Sequence, residues 1–473
     1  MADMSHGEGS PCLVAAWAES APERAAIRTP NDAITYSAWH ARVRVAEQRL
    51  RAAGLEAGSR LVLSQPNGVD LLTLIVAAFR IGAIVCPLDP AFPAEYRNGL
   101  QERLGYTLAI SAGDWGNLRR GGQGRPQEGI GADLGGALWH LDVPGTIVFT
   151  SGSTGNPKAA VLSLRNHVEA ARLSNGNIPF GEHDAWLLSL PMHHVAGFGV
   201  LFRCLLAGAT IAIPETGKEL AASVEALGVT HVSLVARQLA RWLDAGIAAS
   251  RLKAILLGGS AIPAPLLDRA VAAGLPVHAS YGMTETASQI ASTPPGATRA
   301  QLATSGRPLA PNTVRIGAGG LIEVNGPSRF LGYWEEGSVR APFGDDGWFA
   351  ASDFGFLDDE GFLHVTGRMD NVFVAGGENV QPESIERVIC DIPGVLQAIV
   401  VPVPHPEFGA TPVAFVACEG ILDELGLRSN LVEKLPRFQV PRYVFPWPAE
   451  LADRGMKVSR ARFAELAERL VGD

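Results

Sequence analysis

The residues from Phe149 to Lys158 read Phe-Thr-Ser-Gly-Ser-Thr-Gly-Asn-Pro-Lys, which concentrates hydroxyls, glycines and a cation in one short stretch. Glycine lets the backbone turn tightly and approach an anion. Successive backbone N–H groups and hydroxyls can cradle phosphate oxygens, and a lysine adds positive charge. Because the stretch follows an apolar, strand-like run at 146–149, it predicts a phosphate-binding loop. A flexible surface turn is the alternative, since Gly/Ser/Thr clusters often mark turns.

The spacing differs from the common nucleotide P-loop, which has four residues between its glycines and Ser or Thr directly after its lysine. Gly152 and Gly155 are separated by two residues, and Ala159 follows Lys158. The stretch instead resembles the phosphate-binding signature of the adenylate-forming superfamily, which includes acyl-CoA synthetases, adenylation domains and luciferases. The resemblance implies ATP binding by the following phosphate-side residues: Thr150, Ser151, Gly152, Ser153, Thr154, Gly155 and Lys158.

Two further stretches have residue types that could bind the base of a nucleotide and its metal ion. An apolar run leads into Gly258-Gly259-Ser260, where bare backbone can face a planar ligand, although a tight strand-to-helix turn would look the same. Residues 280–286 offer an aromatic ring for stacking and the Glu285 carboxylate for a hard cation. The superfamily's adenine and magnesium motif is similar to this second stretch. It implies Glu285 as the Mg²⁺ ligand. Together the two stretches give these expected ATP contacts: Gly258, Gly259, Ser260, Ser280, Tyr281, Gly282, Met283 and Thr284.

Later residues complete the predicted nucleotide site. Asp353, in Ala-Ser-Asp-Phe-Gly, could accept both ribose hydroxyls or could form an ordinary Asx-turn. The resemblance implies that Arg368 contacts ribose or phosphate and that Asp370 is a hinge. It also implies that Lys457 bridges the acyl carboxylate and the α-phosphate, although an exposed lysine before the last helix is the alternative. The residues expected to line the CoA path are Gly376, Gly377, Glu378 and Asn379.

The pair His193-His194 is expected to lie near the bound carboxylic acid. Amino-acid-activating relatives carry an aspartate there, so the resemblance implies an acid without an α-amine. His194 is expected beside the acyl group and α-phosphate, or else packs as a neutral histidine. Arg203, one or two helical turns later, could pair with a second carboxylate or lie on a helix surface. Other residues expected to line the acyl pocket are Gly259, Thr286, Ser288 and Gln289.

Four stretches further resemble the family of o-succinylbenzoate–CoA ligases of menaquinone biosynthesis. They are Trp186–Gly199, Leu256–Pro263, Arg437–Arg442 and Gly455–Arg460. Ala196 departs from the Ser often found there. The implied reaction joins a carboxylic acid to CoA through an acyl-adenylate, with Lys457, His194 and Glu285 as catalytic residues. Another aryl- or medium-chain acyl-CoA synthetase, a carrier-loading adenylation domain and an inactive nucleotide sensor are the alternatives.

The elements that must position these residues alternate between helix and strand patterns, which predicts an α/β fold. Strands are expected at 61–63, 83–88, 186–190, 210–213, 231–235 and 254–257, and helices at 70–80, from 165, and at 199–207. The Gly-rich residues 111–136 are expected to form a surface loop. The predicted N-terminal domain, 1–369, has two doubly wound α/β subdomains and a small β-barrel-like subdomain. Residues 370–473 are expected to form a mobile α+β lid domain.

Chain length, net charge and cysteine content exclude several classes of function. A chain of 473 residues is too long for one core, and a net charge of −9 argues against a nucleic-acid partner. No secretory signal is evident, and residues 71–81 are too short to span a bilayer, so no membrane insertion is expected. The five scattered cysteines suit reduced thiols in the cytoplasm. A homodimer is one expected assembly.

Overall fold

The computed structural model describes residues 9–121, 138–150, 157–215, 217–246, 251–452 and 459–472. Residues 151–155 of the predicted phosphate loop and the predicted catalytic Lys457 lie outside the described residues.

Helices occur along the whole described chain. Their bounds are α1 Leu13–Ser20, α2 Tyr36–Ala52, α3 Val69–Ile81, α4 Ala94–Leu104, α5 Ala112–Gly121, α6 Leu164–Asn177, α7 Val195–Ala207, α8 Leu220–Ala226, α9 Ala236–Asp244, α10 Ala264–Ala272, α11 Arg299–Leu302, α12 Pro382–Cys390, α13 Glu424–Lys434, α14 Ala449–Ala452 and α15 Arg460–Gly472.

Strands separate most of these helices. Their bounds are β1 Ser10–Pro11, β2 Ala25–Arg28, β3 Ala33–Thr35, β4 Arg60–Ser64, β5 Ile84–Pro87, β6 Leu108–Ser111, β7 Leu138–Trp139, β8 Pro144–Phe149, β9 Ala159–Ser163, β10 Ala185–Leu187, β11 Thr210–Ala212, β12 His231–Leu234, β13 Ala254–Leu257, β14 Val277–Tyr281, β15 Ala291–Ser292, β16 Arg307–Pro308, β17 Thr313–Ile316, β18 Leu321–Asn325, β19 Gly332–Glu335, β20 Ser338–Arg340, β21 Phe349–Leu357, β22 Leu363–Arg368, β23 Phe373–Ala375, β24 Glu378–Val380, β25 Val395–His405, β26 Gly409–Cys418 and β27 Tyr443–Pro446.

Two large sheets form the body of the protein. The first has the order β16-β15-β14-β13-β12-β10-β11-β2-β3, and its strands from β14 to β2 are parallel. The second has the order β20-β19-β9-β8-β5-β4-β6, with parallel pairing from β8 to β6 and antiparallel pairing from β8 to β20. Parallel strands joined through helices confirm the predicted doubly wound α/β layers.

The later part of the chain is different. The strands β17-β18-β21-β22 form an antiparallel sheet, which occupies the region expected to be barrel-like. Beyond β22, the hairpin β23-β24 and the sheet β25-β26-β27 pack with α12, α13 and α15. Two separate apolar clusters, one around Ile385 and Val400 and one around Phe415 and Phe463, belong to this segment alone. The segment therefore has its own core, as a small domain requires.

Local sequence explains the helices that carry or support the site. Helix α3 is almost entirely apolar because both of its faces are buried, and it ends at Gly82, whose φ is +82°. Ser163 caps the start of α6: its hydroxyl accepts from the Asn166 N–H, and the Asn166 amide oxygen accepts from the Ser163 N–H. Helix α7 begins after His194 and ends at Gly208, where φ is +65°.

Three sequence predictions need correction. Part of the segment 111–136, which was expected to be a surface loop, forms α5 at 112–121, where Ser111 and Asp114 hydrogen-bond each other at the start of the helix. Residues 122–136 lie outside the described residues. Strand β10 ends at Leu187 instead of residue 190, and α7 begins at Val195 instead of residue 199. The chain turns between these points, where the backbone N–H of His194 donates to the Pro191 carbonyl. The other helix and strand predictions agree with the structure to within a few residues.

Candidate active site

The predicted nucleotide residues meet at the carboxyl ends of neighbouring parallel strands. Strand β13 ends at Leu257, directly before Gly258, and the adjacent β14 ends at Tyr281. The Ser280 hydroxyl donates to the Leu257 carbonyl at 3.1 Å. A Cβ at Gly258 would lie 2.6 Å from the Ser280 Oγ, so a side chain there would displace this hydroxyl. Ligands of open α/β sheets bind at this kind of edge.

Next to these two strand ends, Gly259 and Ser260 are exposed. Gly259 has a φ of +80°, which favours glycine. The predicted adenine-facing backbone is therefore accessible, and a side chain at Gly259 would be strained.

Tyr281, Asp353 and Arg368 form one hydrogen-bonded group. The Tyr281 hydroxyl donates to Asp353 Oδ2 at 2.7 Å, and Arg368 donates to Asp353 Oδ1 at 3.0 Å. Burial, followed by the nearby Asp353 carboxylate, raises the pKa of Tyr281 well above its ordinary value, so the phenol remains a donor. Arg368 also donates to Asp370 at 3.2 Å, which links the predicted ribose carboxylate to the predicted hinge.

The turn after β14 is strained. Ala287 and Ser288 have φ angles of +53° and +106°, which non-glycine residues seldom adopt. A Cβ at Gly282 would lie 1.5 Å from the Ser288 carbonyl oxygen, so only glycine fits. The fully buried Thr286 hydroxyl accepts from the Met283 N–H and donates to the Met283 carbonyl, while Thr284 begins the 3₁₀ turn. Strained backbone of this kind clusters at functional sites.

The same turn carries Glu285. Its Oε1 accepts a 2.7 Å hydrogen bond from the Tyr333 hydroxyl, and no described basic side chain lies within ion-pair distance of it. The described residues contain no cluster of three potential metal ligands. A single half-buried carboxylate with one oxygen left for another ligand fits Mg²⁺, which is commonly held by one or two carboxylates together with substrate phosphates.

Thr150 and Lys158 mark the two ends of the predicted phosphate loop. The Thr150 N–H donates to the Lys158 carbonyl at 2.8 Å, which closes the loop between β8 and β9. The exposed Lys158 places its Nζ 5.2 Å from the centre of the Tyr333 ring. Tyr333 therefore contacts Lys158 through its ring and Glu285 through its hydroxyl.

The histidine pair lies at the start of α7. His194 is exposed and immediately precedes the helix, and its ring centre is 4.6 Å from that of His193. The His193 Nε2 lies 3.7 Å from a carboxylate oxygen of Asp89, which follows β5. Burial lowers the pKa of His193, and Asp89 opposes that shift. His193 therefore connects the acyl-side histidine to the sheet that carries the phosphate loop.

Arg203 lies on α7 and is only 2 % exposed. Its Nε donates to the Ser174 hydroxyl at 2.8 Å, its NH2 group donates to Gln289 Oε1 at 3.3 Å, and its guanidinium is 4.9 Å from the centre of the Trp186 ring. No carboxylate of the described chain lies within ion-pair distance. Burial lowers the pKa of Arg203 to about 10. Arg203 is therefore a buried cation whose neighbours are a hydroxyl, an amide and an aromatic ring, and it has no anionic partner among the described residues.

A glycine of the same helix packs closely against this arginine. A Cβ at Gly199 would lie 3.0 Å from an Arg203 guanidinium nitrogen and 3.4 Å from the Ser288 Oγ. Gly199, Arg203 and Ser288 thus meet at one point, although they come from α7 and the strained turn. Glycine inside a helix is unfavourable, so its presence in α7 is consistent with this close packing, which leaves little room for a side chain.

In the C-terminal segment, Gly376 and Gly377 form the turn between β23 and β24, with φ angles of +61° and +85°. Glu378 and Asn379 follow on β24 and are exposed. The segment that contains Lys457 precedes α15, whose first residue, Arg460, donates to Glu386 at 2.5 Å. This bond fixes the start of α15 to α12.

Sequence reasoning missed several residues of the site. Tyr333, Ser174 and Trp186 contact predicted site residues, but no local motif marks them as partners. Gly199 had a usable signal, because a glycine inside an otherwise apolar helix, four residues before the only charge on that helix, suggests close packing.

Comparison with known proteins identifies the family. A model for AMP-binding enzymes matches residues 14–334, and a model for the C-terminal domain of AMP-binding enzymes matches residues 384–453. The chain belongs to the AMP-binding enzyme family. Membership confirms the resemblance to adenylate-forming enzymes that the sequence motifs indicated.

Curated relatives of this AMP-binding enzyme cover almost its entire length. The 2-succinylbenzoate–CoA ligase of Salmonella typhimurium is 35% identical over 444 residues, covering 94% of this chain and 95% of the relative. The ligase of the same name from Escherichia coli is 35% identical over 453 residues, covering 96% and 97%.

Solved structures give the same result for the fold. An arginine-to-lysine variant of E. coli MenE with bound OSB-AMS has a TM-score of 0.84 at 32% identity, covering 98% of this chain and 100% of that chain. The o-succinylbenzoate CoA synthetase of Bacillus subtilis in complex with the acyl-adenylate intermediate OSB-AMP has a TM-score of 0.83 at 26% identity, covering 97% and 98%. The B. subtilis enzyme has also been solved with ATP and magnesium, with a TM-score of 0.80 at 26% identity, covering 93% and 96%. These matches confirm the predicted α/β fold class.

No described helix combines the length and apolar character needed to cross a bilayer.

Proposed function

We propose that this AMP-binding enzyme is a 2-succinylbenzoate–CoA ligase, which converts the acid, ATP and CoA into 2-succinylbenzoyl-CoA, AMP and pyrophosphate. The named relatives support the reaction class and the acid. The observation on this chain that carries the substrate assignment is the buried, unpaired charge of Arg203.

A buried cation without a counter-ion is costly, and a substrate carboxylate would remove that cost. The neighbouring Gln289 side chain is 2 % exposed, and its Nε2 has no hydrogen-bond acceptor among the described residues. Two buried donors therefore lie side by side. A dicarboxylate can have one carboxylate activated while its second carboxylate accepts from this pair. A fatty acid or simple benzoate lacks that second anion.

In the first half-reaction, an oxygen of the acyl carboxylate attacks the α-phosphorus of ATP. The new P–O bond gives an acyl-adenylate, and the α–β P–O bond breaks to release pyrophosphate. We assign His194 to the acyl side and Lys457 to the charge that develops between the carboxylate and the α-phosphate. We assign the nucleoside to Tyr281, Asp353 and Arg368. Mg²⁺ held by Glu285 and phosphate oxygens would neutralise charge on the departing pyrophosphate.

In the second half-reaction, the CoA sulfur attacks the acyl carbonyl. A C–S bond forms, the thiol proton is lost, and the bond to AMP breaks. We assign residues 370–473 to a lid domain that rotates about Asp370 between the two half-reactions. Gly376, Gly377, Glu378 and Asn379 would then line the thiol path. The separate apolar clusters of this segment support its movement as a unit.

A panel of acids tests the proposal. Purified protein is supplied with MgATP, CoA and either 2-succinylbenzoate, benzoate, a medium-chain fatty acid, or 4-oxo-4-phenylbutanoate, which lacks the aromatic carboxylate. Pyrophosphate release and the acyl-CoA mass are measured. We expect the highest kcat/KM with 2-succinylbenzoate. Faster turnover of benzoate or the fatty acid would overturn the substrate assignment. Transfer to a phosphopantetheinyl carrier protein without use of free CoA would indicate an adenylation domain instead.

The proposal extends to location and assembly. The five cysteines are free thiols, which suits a reducing compartment such as the cytoplasm. Cell fractionation tests that location. A homodimer remains a prediction, and sedimentation velocity at micromolar concentration tests it.

A further inference from the structure

Tyr333 joins two parts of the predicted phosphate side that are distant in sequence. Its hydroxyl donates to Glu285 Oε1 at 2.7 Å, and its ring lies 5.2 Å from the Lys158 ammonium. The residue is 8 % exposed. Lys158 and Glu285 do not form a direct ion pair, so the tyrosine lies between a cation and an anion and contacts both.

The backbone fixes Tyr333 in this place. Strand β19 pairs with β9 so that Tyr333 lies opposite Ala160, two residues after Lys158. The Leu331 N–H donates to the Val161 carbonyl at 2.9 Å. The backbone position of Tyr333 is therefore tied to the strand that follows the phosphate loop.

A second contact holds the Glu285 turn. The Phe330 N–H donates to the Glu285 backbone carbonyl at 2.8 Å, and the Phe330 ring packs edge-on against the Tyr333 ring with centres 4.9 Å apart. Residues 330–333 thus hold both the backbone and the side chain of Glu285. A tyrosine hydroxyl is protonated at neutral pH, so it can donate to the carboxylate.

We propose that Tyr333 is a positioning residue that fixes the Glu285 carboxylate and the Lys158 ammonium relative to each other for binding of the metal–triphosphate end of ATP. The hydroxyl occupies Oε1 and limits rotation of the carboxylate, which leaves Oε2 directed to a divalent cation. The ring supports the ammonium through its π face. This inference rests on the proposed function for the presence of ATP and Mg²⁺, but not on the identity of the acid.

The test separates the hydroxyl from the ring. In Tyr333→Phe the ring and its packing remain, whereas Tyr333→Leu removes both. Mn²⁺ binding is measured by electron paramagnetic resonance in the presence of saturating α,β-methylene-ATP and no acyl acid. We expect the half-saturating Mn²⁺ concentration to rise about tenfold in Tyr333→Phe, the effect of losing about 1.4 kcal/mol from one charge-assisted bond.

The contribution of the Tyr333 ring to nucleotide binding is measured in the absence of metal. Nucleotide affinity in EDTA should stay near wild type in Tyr333→Phe and weaken severalfold in Tyr333→Leu, because the latter loses the support of Lys158. Tyr96→Phe is the matched control, since Tyr96 is an exposed tyrosine that packs against Phe92 away from these residues. It should leave metal and nucleotide binding unchanged.

Wild-type Mn²⁺ binding in Tyr333→Phe, with only a lower melting temperature, would overturn the proposal, because a purely structural tyrosine gives that result. A second measurement avoids dependence on the folding of the variant. The protein contains six tyrosines and can be labelled with 3-fluorotyrosine. We expect one ¹⁹F resonance to shift when Mg²⁺ is added to the nucleotide complex, and this shift should be absent in Glu285→Gln. A spectrum without such a Glu285-dependent shift would contradict the proposal.

These measurements also separate this proposal from the proposed ligase function. Failure to turn over 2-succinylbenzoate with normal Mn²⁺ effects would refute only the substrate. A normal ligase with unaltered metal binding in Tyr333→Phe would refute only the role of Tyr333.

Discussion

The hydroxyl of Tyr281 donates to the carboxylate of Asp353 at 2.7 Å, across 72 residues of sequence. Arg368 holds the other carboxylate oxygen. The aromatic ring predicted to stack on adenine and the carboxylate predicted to bind ribose are therefore hydrogen-bonded to each other. Asp353 is 7 % exposed, so its orientation is set by these two donors before any ligand binds.

Asp353→Asn should weaken ATP binding. The neutral amide is a poorer acceptor for ribose hydroxyls and no longer pairs with Arg368. A lost hydrogen bond to a charged group costs about 1.5–3 kcal/mol, so we expect a roughly 10- to 100-fold higher dissociation constant for ATP. Calorimetric titration measures it. Asp358→Asn, in the turn that follows the same strand, is the control. Unchanged ATP affinity in Asp353→Asn would contradict the ribose assignment.

Arg203→Met should lower activity selectively for the dicarboxylate. Loss of one charge-assisted contact predicts a fall of about 100-fold in kcat/KM for 2-succinylbenzoate, with a smaller fall in Arg203→Lys. Turnover of 4-oxo-4-phenylbutanoate, which has no second carboxylate, should change little. Arg172→Met, an exposed arginine on α6, is the control. Equal losses with both acids would show that Arg203 acts through the fold and not through the substrate.

Gly282→Ala should disrupt the adenine side of the site. The added Cβ would overlap the Ser288 carbonyl oxygen, 1.5 Å away, so the strained turn must move. We expect ATP affinity to fall by more than about tenfold, since adenine contacts and the Glu285 turn both shift. Gly176→Ala is the control, because nothing lies within 4 Å of a Cβ there and its φ is ordinary. Retention of wild-type ATP affinity would refute the steric argument.

Stability should fall in acid because of His167. Its ring is stacked on Phe202 and hydrogen-bonded to Thr146 at 2.8 Å, and burial lowers its pKa to about 3. The unfolded chain binds a proton below a pH of about 6.5, whereas the folded chain does not until about pH 3. The free energy of unfolding should therefore fall by about 1.4 kcal/mol per pH unit below 6.5 from this residue alone.

His167→Gln tests that dependence, because glutamine can keep the Thr146 hydrogen bond but does not titrate. Urea unfolding between about pH 5 and pH 7 should show a shallower loss of stability than wild type, by about one proton. His183→Gln, at a histidine whose side chain is 91% exposed, should leave the slope unchanged. Parallel stability curves for wild type and His167→Gln would exclude His167 as the source.

Lys457→Ala should separate the two half-reactions. The lysine is assigned to charge on the acyl carboxylate and α-phosphate, so adenylation should be lost while thioester formation from supplied acyl-adenylate persists. Pyrophosphate release and acyl-CoA formation are measured separately. Lys434→Ala, on α13 of the same segment, is the control. Equal loss of both half-reactions would contradict the two-conformation hypothesis.

Elements with a continuous apolar pattern were predictable. Strand β13 was predicted with correct bounds and α3 to within a residue at each end, because their burial on both faces leaves an unbroken apolar run. Strands β9 and β19 were missed. They pair with each other although they are far apart in sequence, so no local pattern marks that pairing. Helix α5 was missed because its glycines obscure the helical pattern.

The sequence by itself determined the chemistry. The predicted phosphate loop at 149–158, the turn with Tyr281 and Glu285, and the segment around Lys457 are each short continuous stretches. Their residue types limit what they can bind. The tertiary structure alone decided which of these groups touch. Arg203 meets Gln289 across 86 residues, and Glu285 meets Tyr333 across 48. Such contacts depend on how strands and helices pack, and side-chain partners that far apart leave no local pattern in a single sequence.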